Sequence, residues 1–134
     1  MNYIYIILLS FVSISFTACE KTGNTSKEGE KERLESLYKE IDILSTSVEC
    51  ENAEEWAFTA IGSKACGGPT GYIAYSSKID TEDFLKKVTL YTELQGEYNK
   101  KWNVVSDCMG LIQPSDVKCV NGKPEFIYEN FNVK

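Results

Sequence analysis

The chain begins with an apolar run that ends abruptly in small residues and a cysteine. The run extends from Ile4 to Val12, polar residues follow, and Ala18 directly precedes Cys19. A transmembrane helix needs about 20 apolar residues, so this run is too short to cross a bilayer comfortably. Its length and the small residue before the cysteine are typical of a signal peptide. Residues 1–18 are therefore predicted to have no part in the mature fold.

The end of this run, Phe16-Thr17-Ala18-Cys19, resembles the lipobox of bacterial lipoproteins. The resemblance implies cleavage before Cys19 and attachment of diacylglycerol to its thiol, with a fatty acid such as palmitate as a further acyl group. Two features depart from the usual pattern, because Met1–Tyr3 contains no Lys or Arg and Phe16 stands where an aliphatic residue is usual. An uncleaved amino-terminal anchor and plain secretion therefore stay open as alternatives.

The residues after the cysteine separate into a short polar stretch and a longer patterned part. Residues 20–26 carry no periodic apolar positions, which predicts a lipidated flexible tether over 19–27 and one globular domain over 28–134. The lipid on Cys19 makes a membrane the expected partner. We expect an exported outer-membrane lipoprotein of the cell envelope, with its periplasmic or surface orientation left open.

The net charge and the absence of histidine limit the classes of function that the chain can have. The 134 residues carry a formal net charge of −6, which argues against a nucleic-acid partner because phosphate binding needs a basic surface. The chain has no histidine, so Ser-His-Asp and Cys-His catalysis and His-ligated zinc are closed to it. We expect no cofactor, no metal and no catalysis, with a small carboxylate-dependent hydrolase as the rival hypothesis.

The cysteines predict a disulfide framework. They are Cys19, Cys50, Cys66, Cys108 and Cys119, and acylation of the first leaves an even number in an exported chain. No two of them have the Cys-x-x-Cys spacing of redox or zinc sites. Of the three pairings that four cysteines allow, Cys50–Cys66 and Cys108–Cys119 are favoured, because both close short loops beside predicted strands. Each is expected to stabilise the fold by about 3 kcal/mol.

Two segments have the apolar periodicity of amphipathic helices. The first runs from Lys27 to Thr46, and the second covers residues 81–101 after Asp80, a favourable N-cap. Their stripes consist of Leu34, Leu37, Tyr38, Ile41 and Leu44 in the first helix, and of Phe84, Val88, Tyr91, Leu94 (or Gln95), Tyr98 and Trp102 in the second. Packing in the core is the simpler interpretation of both stripes. A partner-binding helix and an aromatic ligand shelf are the alternatives.

Alternating and turn-forming residues predict two β-hairpins. Residues 55–61 form an aromatic-rich strand, a glycine-rich turn follows, and residues 72–75 return. Asn121-Gly122 is a strong signal for a tight hairpin and places Cys119 opposite Pro124. Pro124 lacks an N–H, so the last strand should lie at a sheet edge. Together these elements predict an α+β fold in which two helices cover one face of an antiparallel sheet of about four strands.

The glycine-rich turn is the candidate recognition loop. Its residues are Lys64, Ala65, Gly67, Gly68, Pro69 and Thr70, within the stretch Gly62–Gly71. A loop held by a disulfide with a proline at its tip could enter the cleft of a protease, since binding costs less when the loop is already ordered. A plain hairpin turn is the simpler alternative. The stretch lacks the Gly-x-x-x-x-Gly-Lys-Ser/Thr pattern of a phosphate-binding loop.

Several motifs resemble those of small disulfide-containing envelope lipoproteins of unassigned function. They are Glu55-Trp56-Ala57-Phe58-Thr59-Ala60, Cys66-Gly67-Gly68-Pro69, Ser106-Asp107-Cys108 and Asn121-Gly122-Lys123-Pro124. The resemblance implies a shared fold and no activity. The Ser-Gly-x-x-Tyr motif of membrane-bound inhibitors of animal-type lysozyme has no match, since Gly71-Tyr72 lacks both its serine and its spacing. The leading hypothesis is a lipid-anchored binding module, with inhibition of a protease or lysozyme as its specific form and a purely structural lipoprotein as an alternative.

Overall fold

A computed structural model describes residues 26–129. The predicted signal peptide, the lipobox with Cys19 and most of the tether therefore lie outside the described residues. The regular elements in chain order are α1 Lys27–Ser45, β1 Trp56–Ile61, β2 Gly71–Ser76, α2 Thr81–Lys101, β3 Asp116–Val120 and β4 Lys123–Ile127, with one 3-10 turn at Ala53–Glu55. In this part of the chain, neither helix has the length and apolar content that a membrane span requires.

Both predicted helices are confirmed, and local capping explains where they begin. Ser26 precedes α1, and its hydroxyl accepts a hydrogen bond from the backbone N–H of Gly29 at 3.1 Å. Asp80 precedes α2, and its carboxylate accepts one from the backbone N–H of Asp83 at 3.0 Å. These bonds satisfy N–H groups that have no partner inside the helix, which defines each start.

The two helices pack antiparallel and bury their apolar stripes against the first hairpin. Ion pairs join Glu30 to Lys101 near one end of the pair and Glu40 to Lys87 farther along. The main core cluster contains Leu34, Ile41, Ile61, Ile73, Phe84, Val88 and Tyr91. Ile41 and Phe84 are 0% exposed, so most of each stripe packs in the core, as the simpler interpretation predicts. Tyr38 is the exception in α1, since it is 43% exposed.

The four strands form two separate antiparallel hairpins, so the prediction of one four-stranded sheet is wrong. The first hairpin lies between the helices and the second hairpin. Its Ile61 and Ile73 side chains face the helices, whereas Trp56 and Ala74 pack with Val117 of β3. The second hairpin therefore contacts the first through side chains rather than by extending its backbone ladder.

The second hairpin has the predicted register. Val120 pairs with Lys123 across the Asn121-Gly122 turn, and Cys119 lies opposite Pro124. Within the described residues β4 pairs with β3 alone, which confirms its position at an edge.

The favoured cysteine pairing is wrong. The disulfide joins Cys50 to Cys119, with their Cα atoms 5.2 Å apart, while Cys66 and Cys108 are thiols. The six extended residues of β1, about 20 Å of chain, lie between Cys50 and Cys66, whereas a disulfide joins Cα atoms no more than about 7 Å apart. The backbone N–H of Cys50 instead donates to Gly122 O at 2.8 Å, which places Cys50 beside the second hairpin.

These contacts define two ends of the molecule. The disulfide end contains Cys50–Cys119, the turn at residues 121–122 and the carboxyl-terminal end of α1. The loop end contains loop 62–70, the amino-terminal end of α1, the carboxyl-terminal end of α2 and segment 103–113, which has no regular secondary structure. The predicted recognition loop lies at the second of these ends.

Candidate functional site

Three side chains of α2 hold the base of loop 62–70. The hydroxyl of Thr92 accepts a hydrogen bond from the backbone N–H of Gly62 at 2.9 Å, and the Gln95 side-chain oxygen accepts one from the N–H of Ser63 at 2.7 Å. The Asn99 side-chain amide donates to Ser63 O at 2.7 Å. The loop therefore begins on one face of a long helix, which fixes its direction relative to the core.

Gly62 is a position where the loop requires glycine. It is buried and has a φ of 78°, a region that side chains with a Cβ rarely adopt. A Cβ at this position would collide with the Thr70 hydroxyl and with the side-chain oxygen of Gln95. Thr70 closes the base from the other side, since its N–H and its hydroxyl each lie 3.0 Å from Ile61 O.

The middle of the loop is a tight internal turn. The backbone N–H of Lys64 donates to Gly68 O at 2.9 Å, and the N–H of Gly67 donates to Lys64 O at 3.0 Å. Residues 65–68 are exposed, whereas Pro69 is half-buried. The turn therefore presents a small, exposed tip on an ordered base.

The Lys64 side chain joins the loop to segment 103–113. Its ammonium donates to the Asp107 carboxylate at 2.8 Å and to Met109 O at 2.8 Å. The Lys64 side chain is only 12% exposed, so these acceptors compensate a largely desolvated charge. The backbone N–H of Ala65 adds a bond to the Ser106 hydroxyl at 3.1 Å.

Cys66 and Cys108 interact at this junction. The Cys66 sulfur lies 3.6 Å from the Ser106 hydroxyl and donates to Asp107 O at 3.5 Å. Hydrogen bonds from Cys108 and from Ser106, with the charge of Lys64 nearby, lower the pKa of the Cys66 thiol. The pKa of Cys108 is raised, chiefly by its hydrogen bond with Cys66. Because the thiolate is the reactive form, the lowered pKa favours Cys66 over Cys108 as the first of these two exposed thiols to react.

A groove lined by tyrosines lies between the helices next to the base of the loop. It has a volume of about 520 Å³ and is lined by Lys31, Leu34, Glu35, Tyr38, Tyr91, Gln95, Tyr98, Asn99 and Val104. The rings of Tyr38 and Tyr91 are 5.4 Å apart, and burial, with a smaller contribution from Tyr38, raises the pKa of Tyr91. Gln95 donates to the Tyr91 hydroxyl at 3.2 Å while it accepts from the loop, so one side chain connects groove and loop.

The structure gives the predicted loop residues different roles. Ala65, Gly67 and Gly68 are exposed at the tip, where a partner can reach them. Lys64 instead turns inward as a structural link. The residues that hold the loop from outside, such as Ser106 and Asp107, were not predicted as part of the site, because sequence pattern gives no distance between a turn and a distant irregular segment.

Within residues 26–129, no three histidine, cysteine, aspartate or glutamate side chains are grouped as a metal site would require. No protein-family model, curated protein or solved structure matches the chain. The likeness to small envelope lipoproteins therefore stays a prediction from sequence.

Proposed function

We propose that this protein is a lipid-anchored binding module of the cell envelope that recognises a protein or envelope component without catalysis. The observation that carries the proposal is the state of loop 62–70. Its base is bonded to α2, its Lys64 is bonded to segment 103–113, and its tip is exposed. A loop ordered before binding loses little conformational entropy when it binds, so it favours recognition.

Inhibition of a protease or lysozyme is the more specific form of this proposal. A tip without bulky side chains, at Ala65, Gly67 and Gly68, can enter a narrow cleft, and the bonds at its base keep it from collapsing. The purified protein should then inhibit one enzyme in a panel of proteases and lysozymes at a stoichiometry near one to one. Turnover of any panel substrate would instead support the small carboxylate-dependent hydrolase, and no effect on any enzyme would leave the general binding module.

The sharpest test of the loop is a matched pair of substitutions. Ala65→Glu places a charge at the tip, and Ala57→Glu makes the same change at an exposed position of β1. Wild type and Ala57→Glu should capture the same partner from envelope extract, and Ala65→Glu should lose it. Equal capture by all three proteins would show that the loop does not recognise the partner.

Oxidation of Cys66 and Cys108 to a second disulfide is part of the proposal. Both thiols contact Ser106, with the Cys66 sulfur 3.6 Å from its hydroxyl and the Cys108 sulfur 3.9 Å from its carbonyl oxygen, and an exported protein meets disulfide-bearing oxidants. In thiol–disulfide exchange the Cys66 thiolate attacks the oxidant's disulfide and releases one of its thiolates. The Cys108 thiolate then attacks the mixed disulfide and releases the other. Two electrons pass to the oxidant, and the loop becomes covalently joined to segment 103–113.

Peptide mapping of the exported protein tests this pairing. A non-reduced map should contain the Cys50–Cys119 and Cys66–Cys108 peptides, and intact mass should rise by four hydrogens on reduction. Free thiols at positions 66 and 108 in freshly exported protein would contradict the second disulfide and leave the first unaffected.

The lipid anchor is tested separately. Cys19→Ala should abolish labelling by a fatty-acid probe. Labelling that survives the substitution would contradict acylation at Cys19. If labelling is lost but the protein stays in membranes, residues 1–18 act as an uncleaved anchor.

A further inference from the structure

Segment 103–113 exposes an unusual concentration of apolar side chains. Val105 is 92% exposed, Met109 74%, Ile112 60% and Leu111 43%, all within eight residues of chain. Single exposed apolar residues are normal on protein surfaces, but a contiguous group of this kind marks an interaction site. The second largest exposure among them belongs to Met109, whose own backbone carbonyl is held by Lys64.

The charge around this segment suits a lipid surface. Asp107 is the only charged residue between positions 103 and 115, and its carboxylate is paired with the Lys64 ammonium at 2.8 Å. The exposed Lys100 borders the segment at the end of α2, next to Lys101, which is paired with Glu30. An apolar stretch with a neutralised carboxylate and a basic residue at its margin matches the pattern of segments that lie in a membrane interface.

The entry point of the chain places this segment near the bilayer. The amino-terminal end of α1 adjoins the end of α2, since Glu30 pairs with Lys101 and accepts a hydrogen bond from the Trp102 indole at 2.9 Å. Even fully extended, the chain from Cys19 to Ser26 spans at most about 25 Å. An anchored Cys19 therefore holds the amino-terminal end of α1, and with it the loop end, within about 25 Å of the membrane, whereas the far end of α1 lies about 28 Å farther along the helix.

We infer that segment 103–113 is a second membrane contact, which inserts its apolar side chains into the interface of the bilayer that holds the lipid on Cys19. The inference rests on the proposed lipid anchor. Burial of these side chains in lipid removes apolar surface from water, which stabilises one orientation of the domain. In that orientation the tip of loop 62–70 lies beside the membrane surface, so its partner is either in the membrane or close to it.

Depth-dependent quenching in vesicles tests the contact. The lipidated full-length protein is reconstituted in phosphatidylethanolamine–phosphatidylglycerol vesicles whose acyl chains carry bromine, a contact quencher of tryptophan. Ile112→Trp places the probe in the segment, and Ile43→Trp places it at the disulfide end on a side chain of similar exposure, 60% against 57%. The added fluorescence at 112 should fall at least about two-fold, and that at 43 should not change, because interfacial helices and loops bury their apolar faces within reach of the chains.

Each other outcome overturns the inference. Protein that floats with vesicles but shows equal, weak quenching at 112 and 43 keeps the lipid anchor and refutes the second contact. In another outcome, the probe at 112 is unquenched by brominated lipid in vesicles but shielded from aqueous acrylamide in native envelope membranes. That result would show that the segment contacts a protein partner and not lipid. Protein that neither floats nor takes up a fatty-acid probe refutes the anchor and the contact together.

Discussion

The two ends of the molecule are held by different means. At the disulfide end, Cys50 is 3% exposed and covalently joined to Cys119, and the Asn121-Gly122 turn closes the second hairpin with φ values of 51° and 76°. At the loop end, hydrogen bonds and one ion pair hold loop 62–70 against segment 103–113, and thiols and apolar side chains are exposed. On the proposed function, this difference assigns stability of the fold to the disulfide end and recognition of a partner to the loop end. One end closes the fold, and the other presents groups that a partner can reach.

Removal of the Cys50–Cys119 disulfide should have the largest effect on stability. The disulfide closes a separation of 69 residues, so Cys50→Ala with Cys119→Ala should lower the free energy of unfolding by about 4 kcal/mol. Urea unfolding in a Cys66→Ser/Cys108→Ser background measures this disulfide alone. A loss below about 1 kcal/mol would show that the disulfide end is held by packing instead.

At the loop end, a substitution at the base of loop 62–70 should lower the stability of the protein most. Gly62→Ala should destabilise the protein by about 2 to 3 kcal/mol, because it adds a collision with Thr70 and Gln95 to the strain of a positive φ. Gly67→Ala is the matched control, since its φ is 98° and nothing lies within 4 Å of the added Cβ. It should cost only about 1 kcal/mol. Equal costs in thermal unfolding would show that the base of the loop is not closely packed.

The contacts of Lys64 with segment 103–113 should contribute less to the free energy of unfolding than the base of loop 62–70 does. Lys64→Met should cost about 1 kcal/mol and speed amide hydrogen exchange at positions 65 and 106–109, because Met109 O and the Asp107 carboxylate lose the donor that joins the segments, while Asp107 stays hydrated. Lys118→Met breaks the exposed pair with Glu125 and should cost less than about 0.5 kcal/mol. If exchange at 106–109 is unchanged in Lys64→Met, the two segments of the loop end are not coupled.

The smallest expected effect is a pH dependence of stability that comes from Glu30 at the loop end. Hydrogen bonds from Lys101 and Trp102 lower the pKa of Glu30 below its usual value of 4.5. A lowered folded-state pKa means that Glu30 contributes stability above pH 4.5, and that this contribution is lost as the pH falls through the folded-state pKa. Glu30→Gln should therefore be less stable than wild type at neutral pH and equal to it in strong acid. In a Lys101→Met background, Glu30→Gln should lower the stability at neutral pH by a smaller amount.

The features that could be predicted best from the sequence are those that depend only on residues close together in the chain. The stripes of α1 and α2, the N-cap at Asp80 and the tight turn at Asn121-Gly122 are local signals, and the observed elements lie within about one residue of the predicted bounds. Asp80 was predicted as a cap, whereas the Ser26 cap was not, because the predicted tether extended across it. The register of the second hairpin also follows from its turn.

The errors all concern distances between separate segments. A short sequence separation made Cys50–Cys66 attractive, but the extended backbone of β1 carries the two cysteines to opposite ends. Four strand patterns suggested one sheet, although only tertiary packing decides whether two hairpins share a ladder. In the same way, glycine content identified loop 62–70, but it could not show that Lys64 points inward to Asp107.

The order of the cysteines has a consequence for maturation. The proposed Cys66–Cys108 pair is nested inside Cys50–Cys119, so the partners of Cys50 and Cys66 both lie later in the chain. If the chain is exported amino terminus first, as proposed, Cys50 and Cys66 emerge before their partners, and an oxidant acting at that stage joins them wrongly. Pulse-labelled export in cells that lack a disulfide isomerase should therefore accumulate the Cys50–Cys66 form. On the proposed function, rearrangement of that disulfide, rather than its first formation, would then set how quickly the protein becomes competent to bind.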